Sequence, residues 1–179
     1  MTDAHKEILD KLLDSYSVYF DVERIEEGHP YSLAATGYFF SRSEKYVLVK
    51  SAQLWAAESY EYLYIFDVPV LDADTYQRCR QFALEEGMKR ISPHKEHMYS
   101  FITALFLCDE ATEEAKKILK RTYIHKSFKF SLHGWMEFHT DAIVPGERKV
   151  YSNWDGQSTA KFIRKYIFKN HKNKRSVVQ

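Results

Sequence analysis

A chain of 179 residues, 45% apolar and 28% charged, has an ordinary globular balance: long enough to bury a core as one domain, and too apolar for disorder. Its net charge of +1 excludes binding of polyanions by bulk charge, and no apolar run approaches the roughly 20 residues that a membrane helix needs. Aromatic residues stand out at 16%, with 13 Tyr and 12 Phe, which suits sheets with one dry face and one that meets water or a partner.

The charge is unevenly spread. Asp3, Glu7, Asp10, Asp14, Asp21, Glu23, Glu26 and Glu27 crowd the start, whereas no acid follows Asp155 and the end carries Lys161, Arg164, Lys165, Lys169, Lys172, Lys174 and Arg175. Such asymmetry fits a nucleic-acid contact or an acidic partner, and equally a solvated helix face followed by a basic, unstructured tail over 171–179. Cys79 and Cys108 stand in no metal or redox spacing and read as small buried hydrophobes. Two thiols without a signal peptide point to a reducing cytoplasm.

In chain order, Ile8, Leu12 and Leu13 predict an amphipathic helix from Ala4 to about Tyr16, too acid-rich for an anionic membrane surface. Gly28-His29-Pro30 breaks the chain. Two strand-like runs follow, Leu33–Phe40 and Tyr46–Val49, and residues 51–58 suit either a helix or a strand. Tyr60, Tyr62, Tyr64 and Phe66 line one face of a strand, with Leu63 and Ile65 on the other. Asp72 or Asp74 caps a helix that buries Tyr76, Cys79, Phe82 and Ala83 and stops at Gly87.

Tyr99–Cys108 is apolar on both parities, as a strand covered on both faces must be. Asp109 offers the cap of a helix with Glu110, Glu113 and Glu114 first and Lys116, Lys117, Lys120 and Arg121 later, an order that suits its dipole. From Phe128 to Ala142 the chain alternates as one long strand, or two broken near Gly134, with Phe128, Phe130, Leu132, Met136 and Phe138 toward the core. Pro145-Gly146 turns into a short strand at 149–152. Asn153-Trp154-Asp155-Gly156 then leads to a last helix with Ala160, Phe162, Ile163, Tyr166 and Ile167 inward. Together these predict one domain over 1–170, an α/β (α+β) fold with a mixed sheet flanked by about four helices.

Chemistry is densest on the polar parity of the alternating stretch. His133, Glu137, His139 and Asp141 offer imidazole and carboxylate ligands for a divalent metal, since same-face neighbours on a strand lie ~6.5–7 Å apart. The bland alternative is a water-facing sheet surface. His94 and His97 could share a helical turn, but no partner pair completes a zinc motif. Ser158-Thr159-Ala160-Lys161 has the letters of a Ser-x-x-Lys nucleophile without its companion motifs, so the serine reads as a helix cap. Six glycines form neither a dinucleotide fingerprint nor a phosphate loop.

Ser59-Tyr60-Glu61-Tyr62, His97-Met98-Tyr99-Ser100, Lys126-Ser127-Phe128-Lys129-Phe130 with Gly134-Trp135, and Ser152-Asn153 with Gly156 resemble a bacterial family that is a domain of unknown function, over roughly residues 30 to 165. The resemblance implies a small cytoplasmic protein with no assigned activity and carries over no catalytic residue. The order helix, strand cluster, helix, strand also resembles the restriction-endonuclease-like core. That chemistry needs an acid-x-Lys pair, and the strand with Glu58, Glu61 and Asp67 has none.

The expectation is a non-catalytic cytoplasmic domain that binds a partner or a second copy of itself. Its contacts would be the aromatic face of Tyr60, Tyr62, Tyr64 and Trp135, with Lys126, Lys129, Lys161, Arg164 and Lys165. The alternatives are a metal-dependent hydrolase and a protein that stacks and neutralises single-stranded nucleic acid.

Overall fold

Thr2 opens the first helix, α1 (Asp3–Tyr16), by accepting the His5 backbone N–H at 3.2 Å, and Ile8, Leu9, Leu12 and Leu13 turn one buried stripe inward. The computed structural model describes residues 1–26, 28–45 and 55–168. The predicted strand at Tyr46–Val49, the first half of the ambiguous 51–58 segment and the basic tail lie outside them, and 55–58 are strand.

After α1 come β1 (Asp21–Arg24), β2 (Leu33–Lys45), β3 (Trp55–Leu71), α2 (Ala73–Arg90), β4 (His97–Ala111), α3 (Glu113–Arg121), β5 (His125–Ser127), β6 (Trp135–Val144), β7 (Lys149–Ser152) and α4 (Gln157–Ile163). A π-helical turn, Arg164–Phe168, extends α4. The seven strands form one mixed sheet in the order β1-β2-β3-β4-β6-β5, with β7 also on β6. β1, β2 and β3 are antiparallel, β3, β4 and β6 parallel, and β5 and β7 return antiparallel along one edge of β6. The α/β single-domain expectation is met.

Strand parity divides the core in two. Tyr62, Tyr64, Phe66, Ile102, Phe106 and Phe138 pack under α2 and α3. Leu63, Ile65, Leu105, Leu107 and Ile143 pack under Leu9 and Leu12 of α1 and Ala160 and Ile163 of α4. Leu12 is wholly buried, a contribution of roughly 1.5–3 kcal/mol for such a side chain. As its two apolar parities require, β4 is covered on both faces. Cys79 and Cys108 are free and buried.

Three boundaries differ from the sequence expectation. Thr112 rather than Asp109 caps α3, accepting from Ala115 N–H at 3.2 Å, because pairing with β3 carries β4 on to Ala111. The second helix, capped as predicted by Asp72, runs through Gly87 to Arg90. Gly87 is needed for close approach: a Cβ there would stand 2.7 Å from Ile102. Gly156 and not Ser158 precedes α4.

The largest correction concerns Phe128 to Ala142. Only Trp135 onward is the long strand; β5 and β6 form a hairpin around the loop Phe128–Gly134. Lys129, Phe130 and Ser131 take left-handed φ values of 47°, 54° and 66°, so the alternation of letters has no alternating backbone there. Phe130 and Leu132, expected in the core, are 98% and 76% exposed.

Candidate functional site

The parity that brings Leu63, Leu105 and Ile143 under α1 and α4 also places Glu61 of β3, Thr103 of β4 and His139 and Asp141 of β6 on that face. These polar residues continue an apolar row, so the face expected to meet water is buried at His139 (6% exposed) and Asp141 (0%). Phe101 covers the His139 ring at 4.4 Å between centroids.

Over this row lies a cleft of about 480 Å³. The end of α1 and the segment after it line it with Ser15, Tyr16, Val18, Tyr19 and Phe20; the start of α4 adds Ser158, Thr159 and Phe162; half-buried Glu61 of β3 also lines it. Tyr16 meets Phe20 edge-on at 5.0 Å and Phe162 at 6.2 Å. Among the described residues that line the cleft, none is basic.

Among the described residues Glu61 accepts one hydrogen bond, from the Thr103 hydroxyl at 2.9 Å. Burial raises its carboxyl above the ordinary range, and that single bond only partly opposes the shift. Asp141 lies deeper. The nearby Ser152 hydroxyl donates to the Asn153 carbonyl at 2.9 Å, and both Asp141 oxygens lack a hydrogen-bond partner among the described residues. Burial pushes Asp141 up to about 7, while burial lowers His139 to about 4. Tyr16 is raised by burial and by the two acids. The site thus sets carboxyls that burial shifts upward beneath aromatic walls, an arrangement that can bind a charged group.

The four metal-ligand candidates do not converge. His133 lies in the β5–β6 loop, and its carbonyl accepts from His97 Nδ1 at 2.6 Å. Glu137 turns to His125 across the hairpin at 3.5 Å. Only His139 and Asp141 enter the buried row, and among the described residues no three His, Cys, Asp or Glu side chains are grouped to hold a metal. His94 pairs with Glu58 at 3.0 Å; Glu58 also accepts from Arg42 at 2.7 Å and from Tyr60 OH at 2.6 Å, and these bonds hold it below the usual carboxylate range.

The aromatic contact face is mostly interior. Tyr62 and Tyr64 are buried beneath α2, at 4% and 2% exposure, while Tyr60 and Trp135 are half-buried. Lys126, Lys129, Lys161 and Lys165 are exposed, but they are spread over the β5–β6 hairpin and the last helix. Arg164 is spent on the Val150 carbonyl at 2.7 Å.

Glu61, Tyr16, Phe20 and Phe162 together were not singled out from the sequence. The available signal was an acid next to Leu63 and Ile65 on the same parity of the strand.

Fold and cleft define a single-domain mixed α/β protein with a buried acidic site. The chain belongs to the family described as "Domain of unknown function (DUF8052)", whose model matches residues 4–165. No curated protein and no solved structure matches the chain. Among the described residues no helix is long and apolar enough to cross a membrane.

Proposed function

We propose that the protein is a non-catalytic cytoplasmic binding domain whose contact surface is the cleft over Glu61 rather than the Tyr60-Tyr62-Tyr64 face. Its occupant carries a positive charge on an apolar body. One observation carries the reading: Glu61 is a half-buried carboxyl without a cationic partner among the described residues, lining an aromatic-walled cleft whose described lining holds no basic side chain. An entering ammonium or guanidinium group favours the charged carboxylate and so opposes the effect of burial. The ring faces of Tyr16, Phe20 and Phe162 add cation–π attraction of roughly 0.5–2 kcal/mol. An anion meets Glu61 and, behind it, Asp141. The free, buried cysteines suit a reducing compartment.

Calorimetric titration with phenethylammonium, its neutral alcohol analogue and phenylpropionate tests this. The ammonium compound binds best, and Glu61→Gln weakens it roughly tenfold or more, about 1.4 kcal/mol per factor of ten. Equal affinity for all three compounds, or no effect of Glu61→Gln, contradicts the reading.

A further inference from the structure

The β5–β6 loop is a preorganised apolar knob. Phe128 N–H donates to the Gly134 carbonyl at 2.9 Å, and His133 N–H to the Phe128 carbonyl at 3.2 Å, closing the loop on itself. His97 fastens it to β4, donating from Nδ1 to the His133 carbonyl at 2.6 Å and packing against the Phe128 ring at 5.7 Å. Its tip spends three consecutive left-handed residues, Lys129, Phe130 and Ser131, to present Phe130 and Leu132 almost fully to water. Each non-glycine residue in that conformation costs roughly 1–2 kcal/mol. Strain and apolar exposure at one tip mark a surface shaped for contact.

We propose that this knob docks into the Glu61 cleft of a second copy of the chain, with Phe130 between the aromatic walls and the Lys129 ammonium on Glu61. The inference rests on the reading of the cleft as a cation-and-aromatic site. Complementarity selects the occupant. From Lys126 to Gly134 the hairpin has lysines and no acid, whereas the described lining of the cleft has an acid and no base. The knob supplies a cation next to an exposed ring, the combination that the cleft accommodates. Two copies that exchange knobs about a two-fold axis close as a dimer; a one-way contact would propagate.

Sedimentation of the full chain over a wide concentration range tests the proposal with Phe130→Ser and Glu61→Gln. Phe130 is 98% exposed, so its replacement leaves the core intact, as circular dichroism would verify. Wild type self-associates, and each variant weakens association by roughly tenfold or more, as loss of a central contact does. An equimolar mixture of the variants associates more tightly than either alone, because one copy keeps its knob and the other its cleft. A wild type that is monomeric throughout, or association indifferent to both variants, overturns the proposal. Phenethylammonium binding to Phe130→Ser reports on the cleft separately. If it binds while wild type stays monomeric, the cleft reading stands and the second copy is not its occupant.

Discussion

His139 and Asp141 occupy successive inward positions on β6, and burial drives them in opposite directions, the imidazole down to about 4 and the carboxyl up to about 7. Both are neutral over much of the same pH range, so two ionisable groups stand in the interior without forming an ion pair.

Their linkage to stability has opposite signs. Asp141, raised from 3.8 to about 7, contributes stability that is full below 3.8 and lost as pH rises through about 7. His139, lowered from 6.5 to about 4, contributes stability that is present above 6.5 and lost as pH falls through about 4. The slopes oppose each other from about pH 4 to 6.5. Asp141→Asn therefore leaves stability rising with pH in that window, and His139→Gln leaves it falling, each by at most roughly 3–4 kcal/mol. Urea unfolding of both variants across the window checks this; parallel curves would refute it.

Gly87→Ala sets a small gain in helix propensity, about 1 kcal/mol, against overpacking on Ile102 of roughly 1–3 kcal/mol. The expected sign is destabilising. Ile102→Val removes part of the obstruction, so the double variant loses less than the sum of the single losses in denaturant midpoints. Strict additivity would show that the helix simply moves away.

Asn153 uses its whole amide. Oδ1 accepts from Thr140 N–H at 3.1 Å and Gly156 N–H at 2.9 Å, while Nδ2 donates to the Phe138 carbonyl at 2.9 Å and the Thr122 carbonyl at 3.1 Å. Removing it orphans buried backbone groups, so Asn153→Ala costs on the order of 3 kcal/mol or more in equilibrium unfolding. Asn153→Asp fares no better, because a carboxylate cannot donate to the two carbonyls. A loss below about 1 kcal/mol for the alanine variant would mean that water replaces the side chain.

Much of the fold was legible because hydrophobic period reports which face is buried. Ile8, Leu12 and Leu13 marked α1, the tyrosine row marked β3, and the doubly apolar run marked β4. Period failed where backbone conformation rather than side-chain letter decided, at Lys129-Phe130-Ser131, and where partner strands set the end, at Asp109. The site was half legible. His139 and Asp141 read as a polar strand face in the sequence, but their burial depends on α1 and α4 crossing that face. The cleft joins residues far apart in the chain, and no spacing in the sequence announces Glu61 opposite Phe20 and Phe162.

The most direct test of the cleft is a phenethylammonium titration followed by backbone amide NMR. Shifts concentrated at Ser15, Val18, Tyr19, Ser158 and Thr159, and needing roughly tenfold or more ligand in Glu61→Gln, are the predicted result. Shifts confined to the Tyr60–Tyr64 face or the β5–β6 hairpin, or none at saturating ligand, would contradict it.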